Sequence, residues 1–372
     1  MRRLLFVVAL ALVFAAGARA AVPQPDARAF YVVNGATGDV LASRHADERV
    51  PIASITKLMT VIVALEHLRP SDVVTVTGPA AAVGESRIPL YRGQRITVHD
   101  LLAGALIQSA NDAADALAAA AAGGDVATFV DWMNAKARAL RLRDTHFTRP
   151  DGLDAPGHVS SARDVAVLAR VAMRSAIVRS FVRMRSAPIE GGHFVVHTWN
   201  DLLGVFPGLI GVKTGHTSAA GWCEVAAVRR SGYTLYAVIL GSPNRAQRND
   251  DLATLLGWGV AQYQTLHLIR PQPYAWASVP YGRAPVALVA TKPLVSVIRV
   301  GRTVKARIVA PASVSLPVVR GQRLGRIELW EGGKLVGERP LVAGRSIGRP
   351  GLGGRLSWYS SRTVHHLVGF LP

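Results

Sequence analysis

Pro51-Ile52-Ala53-Ser54-Ile55-Thr56-Lys57 runs directly into Leu58-Met59-Thr60-Val61-Ile62-Val63-Ala64-Leu65. The second segment reads as a helix, and a serine stands three residues before a lysine at its start. Residues three apart share one helix face, so the Ser54 hydroxyl and the Lys57 amine should meet. The free N–H groups of the helix N-terminus would point at whatever sits on that serine. This is the layout of a nucleophile with its own base. Lysine can lose its proton when buried, whereas arginine cannot. The chain has only 6 lysines against 37 arginines, so Lys57 and Lys213 stand where an amine is specifically needed.

Working outward from this stretch, residues 28–43 read as a hairpin turning through Asn34-Gly35-Ala36-Thr37-Gly38-Asp39. Downstream, 98–108, 111–122, 126–140 and a segment capped at Ser161 and running through Ala172 read as helices. The pattern then becomes strand-like at 193–198, 209–215, 221–230 and 233–241, and a long helix is expected over 246–265. Two strands, then helices, then strands and a helix make an antiparallel sheet with segregated helices, an α+β fold. The composition shifts between 266 and 275. Short β-branched runs divided by Gly and Pro follow (285–290, 294–299, 303–309, 313–319, 325–330, 335–342), the pattern of a small β-sandwich or barrel. The expected organisation is a catalytic domain at 21–269, a β-domain at 270–355 and a tail at 356–372. In the tail, Val364, Leu367, Val368 and Leu371 form an i, i+3, i+4, i+7 stripe beside Trp358 and Tyr359, the pattern of a membrane-surface helix.

The first 20 residues read as an export signal: Arg2 and Arg3, an apolar run from Leu4 to Gly17, and the small-x-small site Ala18-Arg19-Ala20. The single cysteine, Cys223, excludes an intrachain disulfide framework and reads as a small core hydrophobe. Formal net charge is +19, and residues 270–372 carry 16 Lys+Arg against 3 Asp+Glu. In an exported chain such a basic segment points to anionic lipid or wall polymer, not to nucleic acid.

Two further short elements accompany Ser54-x-x-Lys57. Ser109-Ala110-Asn111 lies at a junction between helices, and Lys213-Thr214-Gly215 lies in a strand followed by His216-Thr217. Ser242-Pro243-Asn244 repeats the Ser-x-Asn pattern and reads as the start of a loop. Each element alone is weak; the three in this order on these elements are specific. Lys57, desolvated and near the Lys213 cation, would have a depressed pKa and take the serine proton. Lys213 and Thr214 would bind a carboxylate. Gly215 would let a ligand backbone approach closely. The backbone N–H groups of Ser54 and His216 would hold an oxyanion. Ser109 would relay a proton to the leaving amine, and Asn111 would hold a substrate amide. No Gly-x-Ser-x-Gly elbow or His-Glu-x-x-His is present, which disfavours a hydrolase triad on that turn and a zinc peptidase. No metal or cofactor is called for.

These motifs resemble those of low-molecular-mass penicillin-binding proteins, specifically serine-type D-alanyl-D-alanine carboxypeptidases of peptidase group S11. The resemblance extends through Thr37-Gly38-Asp39-Val40-Leu41, Asp112-Ala113-Ala114, Asp151-Gly152-Leu153-Asp154-Ala155-Pro156-Gly157-His158 and Gly211-Val212-Lys213-Thr214-Gly215-His216-Thr217. Ile210 stands where members commonly carry Asp. The resemblance implies a β-lactamase/DD-peptidase-like catalytic domain followed by an all-β domain. It implies Ser54, Lys57 and Ser109 as catalytic residues, and Asn111, Lys213, Thr214, Gly215 and His216 as substrate-binding ones. It further implies peptidoglycan stem peptides as substrate, β-lactams as covalent inhibitors and a periplasmic or cell-wall location. A D,D-endopeptidase uses the same motifs but usually lacks the β-domain. A β-lactamase has no use for that domain, and a non-catalytic wall-binding protein has no use for the catalytic groups.

Overall fold

The computed structural model describes residues 5–12 and 21–368. The chain divides into two units, Ala20–Ala261 and a second built from Gln262 onward together with the N-terminal strand.

The first unit is organised on a five-stranded antiparallel sheet. Its order is Val40–Arg44, Ala29–Asn34, Tyr233–Ser242, Gly221–Arg230, Leu209–Thr217. The expected hairpin at 28–43 and the expected strands at 221–230 and 233–241 form its neighbouring pairs, with Phe30 opposite Arg44 and Tyr233 opposite Arg230. The central strands read as continuous apolar runs because both their faces are covered: Val225–Val228 and Leu235–Leu240 are buried. The helical side holds Lys57–His67, Asn111–Ala121, Val126–Ala139 and Ala162–Ala172. Leu58, Met59, Val61, Leu117, Phe129 and Met133 meet there in one core. Asp125 caps one helix through the N–H groups of Ala127 and Thr128, and Ser161 caps another through that of Asp164.

Two elements differ from the sequence reading. The last helix ends at Ala261, and Tyr263–Ile269 is a strand paired with Leu294–Arg299. The aromatic and β-branched residues from Tyr263 onward suit a ladder better than another helical turn. The boundary therefore lies at 261/262, ahead of the expected 266–275. Asn244 also begins a helix and not a loop: its Oδ1 accepts the Gln247 N–H at 2.8 Å, capping Arg245–Ala261.

The second unit is all-β apart from one helix. A sheet runs in the order Leu5–Leu12, Val304–Pro311, Arg323–Glu331, Lys334–Ala343, Val286–Ala290, Pro273–Ala277. Alternate residues Val304, Ala306, Ile308 and Ala310 face its core, the period-2 pattern of a half-buried strand. The segment 313–319, expected as a strand, makes only isolated bridges, Ser313 to Ser278 and Val318 to Ile347. Leu5–Leu12, set aside in the sequence reading as targeting signal, runs antiparallel along Val304–Pro311 with Leu5 opposite Pro311. An apolar run beside an open sheet edge satisfies that edge's backbone groups. The tail is helical over Leu352–Val368, and Trp358 packs edge-on against Tyr281 at 5.4 Å. The side chains of the stripe Val364, Leu367, Val368 and Leu371 lie outside the described residues.

Candidate active site

Ser54 sits in a 3₁₀ turn, Ala53–Thr56, that leads into the helix Lys57–His67. The turn starts from Ala53 at φ +48. Lys57 is fully buried, and its Nζ donates to Ser54 Oγ at 2.7 Å, Asn111 Oδ1 at 2.6 Å and the Asp151 carbonyl at 2.6 Å. An ammonium has three donors, and these partners use all of them. Burial pulls the Lys57 pKa from 10.5 down to about 8, although Asp151, Asp115, Asp112 and Glu85 oppose it in that order.

Ser109 follows a π-turn, Gly104–Gln108, and holds a left-handed conformation at φ +66. Positive φ is costly for a residue with a Cβ and recurs at functional positions. Here it brings Ser109 Oγ to Lys213 Nζ at 2.7 Å. Lys213 also donates to the Thr214 carbonyl at 2.9 Å. Its pKa lies well below 10.5, through burial first and then the Lys57 charge. The repulsion between the two amines is reciprocal, as the sequence reading expects, and it adds to burial in disfavouring two charges here. Asp151, Asp115, Asp112 and Glu85 oppose the lowering at Lys57, and Glu224 opposes it at Lys213.

The remaining expected residues gather around these two amines. The Asn111 amide is engaged at both ends, its Oδ1 by Lys57 and its Nδ2 by the Gly84 carbonyl at 2.9 Å. Thr214 and Gly215 are buried on the strand Leu209–Thr217, while His216 is exposed, its ring tilted against that of Trp222 with centroids 4.2 Å apart. Gly215 admits the turn that carries Ser54: a Cβ there would stand 3.0 Å from the Ile52 carbonyl oxygen and 3.1 Å from the Ser54 nitrogen. The close approach expected of a ligand backbone is thus already made by the protein's own.

A supporting layer escaped the sequence reading. Asp112 is buried and accepts the N–H groups of Ile88 and Leu90 at 3.1 Å, pinning the loop that carries Gly84. The Asp151 carboxylate is held by Arg149 through two 2.6 Å bonds while its carbonyl faces Lys57. Gly152, at φ +84, lies so close to the Ala53 carbonyl that a side chain would drive into it. His158 Nδ1 accepts the Thr148 N–H at 3.1 Å, so Nε2 carries the proton and donates to Thr56 Oγ1 at 2.8 Å. Burial lowers the His158 pKa to about 4, keeping the ring neutral. Behind the strand, Glu224 is fully buried with its pKa pushed up to about 7, and Arg248 Nε lies 3.2 Å from its Oε2. Arg248 also lies over the Trp222 ring at 5.7 Å. Cys223 is buried, and burial pushes its thiol to about 11, as suits an inert core residue. Among the described residues no group of three or more His, Cys, Asp or Glu side chains is placed to hold a metal.

Residues 16–244 match the family D-alanyl-D-alanine carboxypeptidase, peptidase S11, and residues 264–349 match the penicillin-binding protein 5 C-terminal domain. The chain is 33% identical over 392 residues to D-alanyl-D-alanine carboxypeptidase DacD of Escherichia coli, covering 97% of each chain. It is 31% identical over 349 residues to DacF of Bacillus subtilis, covering 90% of this chain and 89% of that one. The crystal structure of penicillin binding protein 6B from Escherichia coli superposes with a TM-score of 0.66 at 31% identity, over 88% of this chain and 98% of that one. The chain belongs to the S11 family of D-alanyl-D-alanine carboxypeptidases, with the β-domain of penicillin-binding protein 5 following its catalytic unit.

Proposed function

We propose that Ser54 is the nucleophile of this carboxypeptidase and Lys57 its base, removing the terminal D-alanine of peptidoglycan pentapeptide stems. The observation that carries this reading is the set of partners around Lys57. When the amine loses a proton it keeps two N–H donors and gains a lone pair. Asn111 Oδ1 and the Asp151 carbonyl can only accept. Ser54 Oγ is the one partner that can donate. The lone pair is therefore directed at the serine proton, and the buried surroundings keep the neutral amine accessible near pH 8.

In acylation, Ser54 Oγ passes its proton to Lys57 and bonds to the carbonyl carbon of the D-Ala–D-Ala bond. The oxyanion forms against the backbone N–H groups of Ser54 and His216. As the C–N bond breaks, Ser109 delivers a proton to the leaving amine. The proton that Lys57 took from Ser54 refills Ser109, which leaves Lys57 neutral for the water step, while Lys213 holds the Ser109 hydroxyl through its Nζ–Oγ bond. Lys213 and Thr214 also receive the substrate's terminal carboxylate, Asn111 fixes the base, and Gly215 keeps the strand close to the turn. Water then attacks the ester and restores Ser54. A β-lactam follows the same first step and remains attached.

Export to the periplasm or wall space through residues 1–20 is part of the proposal. So is contact with anionic membrane through the basic C-terminal region. Leu352, Leu356 and Tyr359, at i, i+4 and i+7, are exposed on the terminal helix, which supports surface binding. Deleting 356–372 should release the protein from the membrane fraction, and retention there would sink the membrane role. For the catalytic assignment, purified protein should label with a fluorescent penicillin and release free D-alanine from pentapeptide. Ser54→Ala should do neither, and persistent labelling of that variant would overturn the assignment.

A further inference from the structure

A cavity of the first unit lies outside this site. It measures about 460 Å³ and opens between the end of the helix Ala162–Ala172 and the hairpin formed by Gly221–Arg230 and Tyr233–Ser242. Arg170, Arg174, Arg229 and Arg230 line it, with Tyr236 and the backbone of Gly35. None of these arginines forms an ion pair among the described residues. Arg230 is committed to the Pro207 carbonyl at 2.7 Å, and the other three keep their guanidinium groups uncommitted. Tyr236 is buried, and the charges that bear most on it are those of Arg170, Arg229, Arg174 and Arg179.

The surroundings are built to present these groups. Gly35 lets the Tyr236 ring lie against the turn, since a Cβ there would meet Tyr236 Cε2 at 2.6 Å. Gly232, at φ +86, closes the hairpin beside Arg229 and Arg230. A single arginine after a helix is favoured by the helix dipole. That does not account for a facing pair contributed by a hairpin. Like charges gathered without an acid repel one another, and an anion between them removes that cost.

We propose that this cleft binds a phosphate-bearing ligand, with its oxygens held by Arg170, Arg174 and Arg229 and by the Tyr236 hydroxyl. Guanidinium forks match phosphate oxygens two at a time. Three such forks offer more donors than the two oxygens of a carboxylate use, whereas a phosphoryl or diphosphoryl group engages them. The volume exceeds that of a lone phosphate, so the ligand carries a second anionic group or a polar body. The chemistry is shared by a phospholipid headgroup and by a soluble or polymer-borne phosphate ester.

The test compares the full chain with R174Q/R229Q, both positions being exposed. Unchanged D-alanine release by the variant establishes that it is folded. Inorganic pyrophosphate binding is measured by calorimetry at constant ionic strength with sulfate as control, and sedimentation is measured with phosphatidylglycerol and phosphatidylcholine vesicles. A drop of tenfold or more in pyrophosphate affinity in the variant supports the site and a soluble or polymeric source. A variant-dependent loss confined to phosphatidylglycerol vesicles supports the site with a lipid headgroup as source. Equal binding of both probes by the two proteins, no binding by either, or a sulfate response as large as that to pyrophosphate overturns the proposal.

Discussion

Replacing Lys57 by arginine should abolish acylation while leaving a cation and its donors in place. Burial brings Lys57 from 10.5 to about 8, so about a tenth of the amine is neutral at pH 7 and about half at pH 8. An unperturbed lysine would be neutral in about three parts in ten thousand at pH 7, so burial increases the active form about 300-fold, or roughly 3 kcal/mol. Arginine stays protonated throughout. Loss of the base should lower the acylation rate by about 10²–10⁴-fold. The assay is the second-order rate of fluorescent penicillin labelling between pH 6 and 9. The wild-type rate should rise about tenfold from pH 6 to 7 and level off above pH 8. Labelling of Lys57→Arg within about tenfold of wild type, or a wild-type rate flat across this range, would refute the reasoning. Stability carries the same sign. The folded pKa lies below the unfolded one, so the fold bears the cost of a buried ammonium below pH 8 and sheds it as pH rises toward 10.5. Lys57→Arg should lack that gain in urea melts at pH 7.5 and 9.5.

Three further outcomes are expected. Gly152→Ala meets both a positive φ and the Ala53 carbonyl, so it should cost more than about 2 kcal/mol in urea unfolding and reduce labelling. A change under about 0.5 kcal/mol would show that the loop yields. His158 is neutral in the fold with a pKa of about 4 against 6.5, so its contribution is complete above pH 6.5 and declines as pH falls through 4, by up to roughly 3 kcal/mol. His158→Gln should flatten the decline of stability between pH 7 and 4.5, and an unchanged slope would dismiss this role. Glu224→Ala removes one of the two carboxylates paired with the buried Arg248 and leaves Asp201, which should destabilise by about 1–3 kcal/mol, whereas E224L/R248L should recover most of that in the same melts.

The legible parts of this chain were those written in local chemistry. The serine–lysine spacing, the Ser161 cap and the hairpin around Ser231-Gly232 depend on neighbours a few residues away, and the structure follows them. The strand Tyr263–Ile269 was hidden because its partner, Leu294–Arg299, lies some thirty residues downstream and only pairing decides its state. The supporting layer was hidden for a similar reason. Asp151 joins Lys57 through its backbone carbonyl, which no side-chain pattern encodes. Glu224 would pass for a surface residue in an alternating strand until both faces of the sheet prove covered.

The scarcity of lysine has a practical side. Lys57 and Lys213 are sealed in the site, and Lys136 is paired with Glu66. The exposed remainder, Lys292, Lys305 and Lys334, all belong to the β-unit. Apart from the terminal amine and the part-exposed Lys136, an amine-reactive surface would therefore tether this enzyme by its β-unit. Most immobilised copies would be held through the same unit, with none attached through the buried Lys57 or Lys213.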